Sequence, residues 1–107
     1  MAEQEIVVIK IGTGVLTKED GTLDGASLAR LVGAVADLPN QTRRYVLVSS
    51  GAVGAGTSVL GLSEYPDDLS TRQAAAAVGQ TRLMHAYQNL FNSFDKNVAQ
   101  LLLTADD

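Results

Sequence analysis

Apolar residues in this chain fall into two patterns, short continuous runs and helical spacings. Ile6-Val7-Val8-Ile9 leads through Lys10 to Ile11, and all but two of these positions beside the lysine are isoleucine. A run of β-branched residues this short reads as a buried strand of a parallel sheet, from about Glu5 to Ile11. Tyr45-Val46-Leu47-Val48-Ser49, after Arg43-Arg44, reads as a second strand, and Val98 to Thr104 as a third. Leu28, Leu31, Val32, Val35 and Leu38 instead fall at i, i+3, i+4, i+7 and i+10. That is one face of a helix, with Asp24 as its cap and Pro39-Asn40 as its end. Ser70-Thr71-Arg72-Gln73 fits a capping box with Ser70 at the cap. The helix it opens is the longest, running to about Phe94 with a stripe of Leu83, Tyr87, Leu90 and Phe94, widened by Met84 and Phe91. A short helix is expected at the junction Ser50 to Gly56.

The order is strand, helix, strand, helix, helix, strand. Such alternation favours an α/β fold with a parallel sheet and covering helices. The 107 residues hold at most one domain. A chain of this size buries about two-thirds of the surface it exposes when unfolded, enough for one modest core. An apolar content of 46% argues against disorder.

Net charge is −4 with acids and bases interspersed, and no basic block occurs. Nucleic acid and an anionic membrane are therefore not expected partners. There is no cysteine, which excludes disulfides and thiolate chemistry, and His85 is the sole histidine. The first residues, Met1-Ala2-Glu3-Gln4-Glu5, lack a signal-peptide pattern. No apolar stretch approaches the roughly 18 residues of a membrane span. The expected compartment is the cytoplasm.

Two segments offer chemistry. Lys10 is followed by Gly12-Thr13-Gly14 at the carboxyl end of a strand, where open α/β sheets place their ligands. Backbone N–H groups of a glycine loop approach phosphate oxygens closely, and lysine adds a point charge. The plainer alternative is a strand-end lysine extending to water past an ordinary turn. The spacing is not that of a Walker A loop. Ser49-Ser50-Gly51-Ala52-Val53-Gly54-Ala55-Gly56 follows the second strand. A strand entering a glycine-rich helix start presents unpaired N–H groups and the positive end of the helix dipole, which suit a phosphate or a carboxylate. Here the plainer alternative is small residues that let helix and strand pack closely. In a parallel sheet both turns open at one edge and can face one crevice. Other polar residues read as structural: His85 as a surface or packing residue, Arg72 and Arg82 as a solvated face or interface, Asp67-Asp68 as a loop charge pair. Gln80 and Gln100 interrupt apolar segments without a single assignable role.

Val7 to Leu16 resembles the first motif of the amino acid kinase family, and Val46 to Gly56 its second glycine motif. Gln73 to Leu83, followed by Gln100 to Thr104, narrows the resemblance to members acting on glutamate. Ser49 stands where the family often has threonine, a conservative departure. The resemblance implies a three-layer α/β/α sandwich with a mainly parallel sheet, of which residues 1–107 form a truncated, amino-terminal part. It implies transfer of the ATP γ-phosphoryl group to the side-chain carboxylate of L-glutamate, the first step of proline biosynthesis, with Mg²⁺ accompanying ATP. Lys10 would be catalytic, binding ATP phosphates and stabilising the transferred group. Gly12 and Thr13 would line the phosphate path, and Ser50, Gly51 and Ala52 would hold glutamate. No residue is assigned as a metal ligand.

The family's catalytic domain is far longer than this chain. Its remainder supplies acidic and amide residues for glutamate, a second phosphate-binding lysine and most of the nucleotide pocket, and Asp106 and Asp107 fall too early to replace them. The expectation is a fragment inactive alone, which self-associates through a sheet edge and apolar surface left uncovered. The alternatives are a family member acting on another carboxylate, a carbamate or a phosphate, and a non-catalytic interaction module on the same fold.

Overall fold

A computed structural model describes residues 3–12, 14–49, 51–63 and 66–100. Strand β1 spans Glu5–Ile11, helix α1 Gly25–Ala36, strand β2 Arg43–Ser49, helix α2 Ala52–Val59 and helix α3 Leu69–Asn92. The strands pair in parallel, from Glu5 opposite Arg43 to Ile11 opposite Ser49. The α/β class and parallel sheet match the sequence pattern, and the described part is small and partial. β2 starts two residues earlier than Tyr45, because Arg43 joins the ladder opposite Glu5. An exposed ion pair at 3.4 Å accompanies that pairing and adds little energy. Of the third expected strand, Val98 to Gln100 carry no strand assignment and Leu101 to Thr104 lie outside the described residues.

The core lies on one face of the sheet. Ile11, Leu16, Leu28, Val32, Val35, Leu83, Tyr87 and Phe91 form a single buried cluster, with Ile9 and Leu47 of the strands packed against it. Fully burying one such side chain is worth about 1.5–3 kcal/mol. The α1 stripe is as its spacing predicts, with Leu28, Val32 and Val35 buried. Helix α1 stops at Ala36 rather than reaching Pro39, whose ring disfavours helical geometry just before it, and Leu38 is exposed. On α3 the buried stripe runs Ala75, Gly79, Leu83, Tyr87 and Phe91, a strict i+4 row. Phe94 falls off that row and is exposed, because the helix ends at Asn92 and Asp95 takes a left-handed φ of 58°. That conformation ends helices, and the Lys96 N–H turns back to donate to the Phe91 carbonyl at 3.0 Å.

The opposite sheet face departs from the expectation of a strand buried on both sides. Ile6 is 70% exposed, Val8 62% and Val48 50%. By strand alternation Lys10 shares that face, and it too is exposed.

Two aspartates start the long helices. Asp24 caps α1, its Oδ1 accepting from the N–H groups of Ala26 and Ser27 at 3.1 and 3.2 Å. Asp68, not Ser70, caps α3: its Oδ2 accepts from the Thr71 N–H at 2.9 Å and the Thr71 hydroxyl at 2.7 Å. A carboxylate satisfies the open N–H groups as a serine would and adds charge at the positive end of the helix. It also removes Asp68 from the role of a plain loop charge.

Hydrogen bonds from Ser27 hold the Asp24 carboxyl below its ordinary value of 3.8, and those from Thr71 do the same for Asp68. A carboxyl with a lowered folded pKa contributes stability above its unfolded value and loses it as pH falls through the folded value. Urea unfolding should therefore show a lower midpoint at pH 3 than at pH 7. In the double variant Asp24→Ala, Asp68→Ala that difference should shrink; an unchanged difference would refute the capping account.

Candidate functional site

Both glycine turns leave the sheet from the same rung. Ile11 and Ser49 are the last paired residues of β1 and β2, so the two strands end side by side. Adjacent strands lie about 4.8 Å apart, which sets the spacing of the two exits. Lys10 is one rung back, opposite Val48. Of the residues assigned from the sequence, Lys10, Gly12, Gly51 and Ala52 are thus brought to one sheet edge. Thr13 and Ser50 lie outside the described residues.

The first turn is followed by an ordered hairpin rather than by open loop. The Val15 N–H donates to the Gly12 carbonyl at 3.1 Å, and the Asp24 N–H to the Leu16 carbonyl at 2.7 Å. Thr17 and Leu23 form an antiparallel bridge around the turn Lys18 to Gly21. The Gly21 N–H closes that turn on the Lys18 carbonyl at 2.9 Å, and Asp20 accepts from the Thr22 N–H and hydroxyl. Those bonds from Thr22 hold the Asp20 carboxyl below its ordinary value. Leu16, fully buried, ties the hairpin to the core.

The second turn rests against this hairpin. Gly51 caps α2 with φ of 120°, a conformation side-chain-bearing residues rarely adopt. The space beside its Cα faces Leu16 and Leu23 at ordinary contact distance. A Cβ on Gly54 would lie 2.1 Å from the Gly21 carbonyl oxygen. The start of α2 is therefore packed against the hairpin that follows the first turn.

The glycines divide by what lies opposite them. Gly54, Gly56 and Gly79 are packing residues: a Cβ on Gly56 would meet the Ala75 carbonyl oxygen at 1.7 Å, and one on Gly79 the Ala52 carbonyl oxygen at 1.6 Å. Gly56 and Gly79 let α2 and α3 touch backbone to backbone, and Gly54 lets α2 meet the Gly21 backbone, so close packing accounts for this part of the second motif. Gly12 and Gly14 differ, because no atom among the described residues lies within 4 Å of a Cβ added there. Protein packing does not demand glycine at those positions; open access to the backbone from outside does fit them.

Helix α3 supports the second turn from below. The Tyr87 hydroxyl donates to the Ser49 hydroxyl oxygen at 2.9 Å, across 38 residues of sequence. Burial pushes the Tyr87 phenol up from its ordinary value, so it is protonated and a donor at neutral pH. Sequence reading missed this pair: Tyr87 scores as one more member of an apolar stripe, and nothing local marks its partner. His85, Arg72 and Arg82 are exposed on α3, Gln80 is half-buried and Gln100 exposed. A shallow open groove of roughly 500 Å³ lies elsewhere, lined by Val59, Ala77, Val78, Thr81 and Arg82. Its walls come from α2 and α3 and include none of the sheet-edge residues. Among the described residues no three His, Cys, Asp or Glu side chains cluster to hold a metal, and no helix is long and apolar enough to cross a membrane.

A family model described as the amino acid kinase family matches residues 5–107. The glutamate 5-kinase of Geobacter sp. (strain M21) is 55% identical over 101 residues, covering 94% of this chain and 27% of the relative. That of Moorella thermoacetica is 48% identical over 107 residues, all of this chain and 28% of the relative. That of Clostridium tetani is 46% identical over 101 residues, 94% of this chain and 38% of the relative. The chain thus spans well under half the length of these curated relatives.

The division of the glycines is open to a stability measurement. Gly79→Ala forces α2 and α3 apart and should lower the unfolding free energy by about 1–3 kcal/mol. Gly12→Ala should change it by no more than about 0.5 kcal/mol. Equal effects in urea unfolding would refute the division.

Proposed function

The chain belongs to the amino acid kinase family, and from that premise we propose that it is the amino-terminal part of a kinase domain that phosphorylates glutamate. The reaction moves the ATP γ-phosphoryl group to the side-chain carboxylate of L-glutamate, the entry to proline biosynthesis, in the cytoplasm. The observation that carries this reading is the shared last rung, Ile11 opposite Ser49. It sets a lysine-bearing glycine turn and a second glycine turn side by side, one suited to phosphate and the other to a carboxylate.

In this reading the glutamate carboxylate oxygen attacks the γ-phosphorus and ADP leaves. No general base is required, since the carboxylate is already ionised at neutral pH. Catalysis of phosphoryl transfer is largely positioning and electrostatic stabilisation. Lys10 carries the positive charge, on a stem flexible enough to follow the phosphates from its exposed position on the sheet. Gly12 and Thr13 offer backbone N–H donors along the phosphate path. Ser50, Gly51 and Ala52 form the carboxylate side, where the start of α2 adds a favourable dipole. Mg²⁺ arrives with ATP and is held chiefly by the phosphates, as is usual for this ion. The names of the relatives support the choice of glutamate and, with it, ATP.

A second element of the proposal concerns assembly. Ile6, Val8 and Val48 form an exposed apolar strip on a parallel sheet, a class of sheet normally covered on both faces. The isolated chain should self-associate through this surface. A strictly monomeric species in sedimentation at high concentration would contradict it.

The functional test uses the kinase polypeptide carrying this sequence at the length of its relatives. Glutamate-dependent consumption of ATP is expected, and Lys10→Ala should lower kcat by about 10²–10³-fold, the loss typical of one electrostatic donor. The 107-residue chain alone should show no turnover. Wild-type turnover with a different carboxylate, carbamate or phosphate, or a Lys10→Ala variant within twofold of wild type, would overturn the reading.

A further inference from the structure

We infer that Tyr87 is a positioning residue for the carboxylate-binding turn, acting through its hydrogen bond to Ser49; the inference rests on the assignment of that turn to glutamate. Three observations carry it. First, Ser49 is the last residue of β2 and stands directly before the turn, so any shift of Ser49 moves the point from which Gly51 and Ala52 depart. Second, α3 grips the turn on both sides. Tyr87 holds Ser49 at 2.9 Å, while the bare backbone at Gly79 receives the Ala52 carbonyl. These two holds are eight residues apart on α3, about 12 Å along the helix axis. Third, the phenol itself is immobilised. Tyr87 is 5% exposed, belongs to the core cluster with Ile11 and Leu83, and lies against Phe91 with ring centroids 6.3 Å apart and planes at 20°.

The consequence is a rigid path from the core to the turn. The core fixes the ring, the ring fixes the hydroxyl, and the hydroxyl fixes the end of β2. Phosphoryl transfer is sensitive to displacements of this order, because the reacting oxygen must sit close to the phosphorus and in line with the leaving group. Tyr87 touches neither substrate in this arrangement. Its effect is confined to the side of the site built on β2, whereas Lys10 and Gly12 are carried by β1.

The experiment is steady-state kinetics on the kinase polypeptide of full length, with Tyr87→Phe, Ser49→Ala, their double variant and Ser49→Thr. Tyr87→Phe keeps the ring and removes only the hydroxyl. The KM for glutamate should rise roughly 2- to 12-fold, the equivalent of one hydrogen bond, with the KM for ATP within twofold of wild type. Ser49→Ala should reproduce that shift, the double variant should be no worse than either single one, and Ser49→Thr should restore the wild-type value by keeping a hydroxyl acceptor. An unmoved glutamate KM, a parallel rise in both KM values, or additive effects of the two single variants would overturn the positioning role alone. Absence of glutamate-dependent turnover in the unsubstituted protein would overturn the assignment on which it rests.

Discussion

The parallel pairing of β1 with β2, ending at Ile11 opposite Ser49, is the constraint from which the rest of the site follows. One rung of slip would part the two turns along the strand axis and move every side chain of β2 to the opposite face. Two things hold the register. The inward residues Ile9, Ile11 and Leu47 join a core that the outward residues cannot reach. The Tyr87 hydroxyl holds Ser49 at its place. The candidate site is therefore built on core packing, with helix α3 bonded to the end of β2 and packed against the start of α2 while contributing no residue to either turn.

Helix α3 does this through Gly79, which meets α2 beside Gly56, and through Tyr87, one of its largest side chains. Gly56 and Gly79 allow α2 and α3 to meet at backbone distance, which fixes where α2 begins. Tyr87 spans the gap to the sheet. Small residues near the start of α3 and aromatic ones near its end thus match a helix that lies tight against α2 and farther from the strands. The same asymmetry leaves the opposite sheet face bare, with Ile6, Val8 and Val48 exposed beside Lys10. On that face Lys10 stands at the end where the two strands stop, with Arg44 at the other end opposite Ile6.

Much of this was legible in the sequence where the signal is local. The β-branched run gave β1 its bounds of Glu5 and Ile11, the spacing of Leu28, Val32 and Val35 gave the inward face of α1, and Asp24 was identifiable as its cap. Three features needed three dimensions. The capping box points to Ser70 as the cap of α3, and only the geometry shows the Asp68 carboxylate in that place. Glycine looks the same in every motif, yet Gly12 and Gly14 face open space while Gly54, Gly56 and Gly79 face backbone. What lies opposite a missing Cβ is a tertiary fact. The Tyr87–Ser49 bond is another, joining residues whose separation in sequence carries no periodic or motif signal.

The account stands most directly on where ligands sit. A crystal structure of the kinase polypeptide of full length, with a non-hydrolysable ATP analogue and glutamate, would decide it. The account predicts phosphate oxygens within hydrogen-bond distance of the Gly12–Gly14 backbone and the Lys10 ammonium, and the glutamate carboxylate at Gly51 and Ala52. Phosphates bound away from Lys10, or glutamate in the groove between α2 and α3, would contradict it.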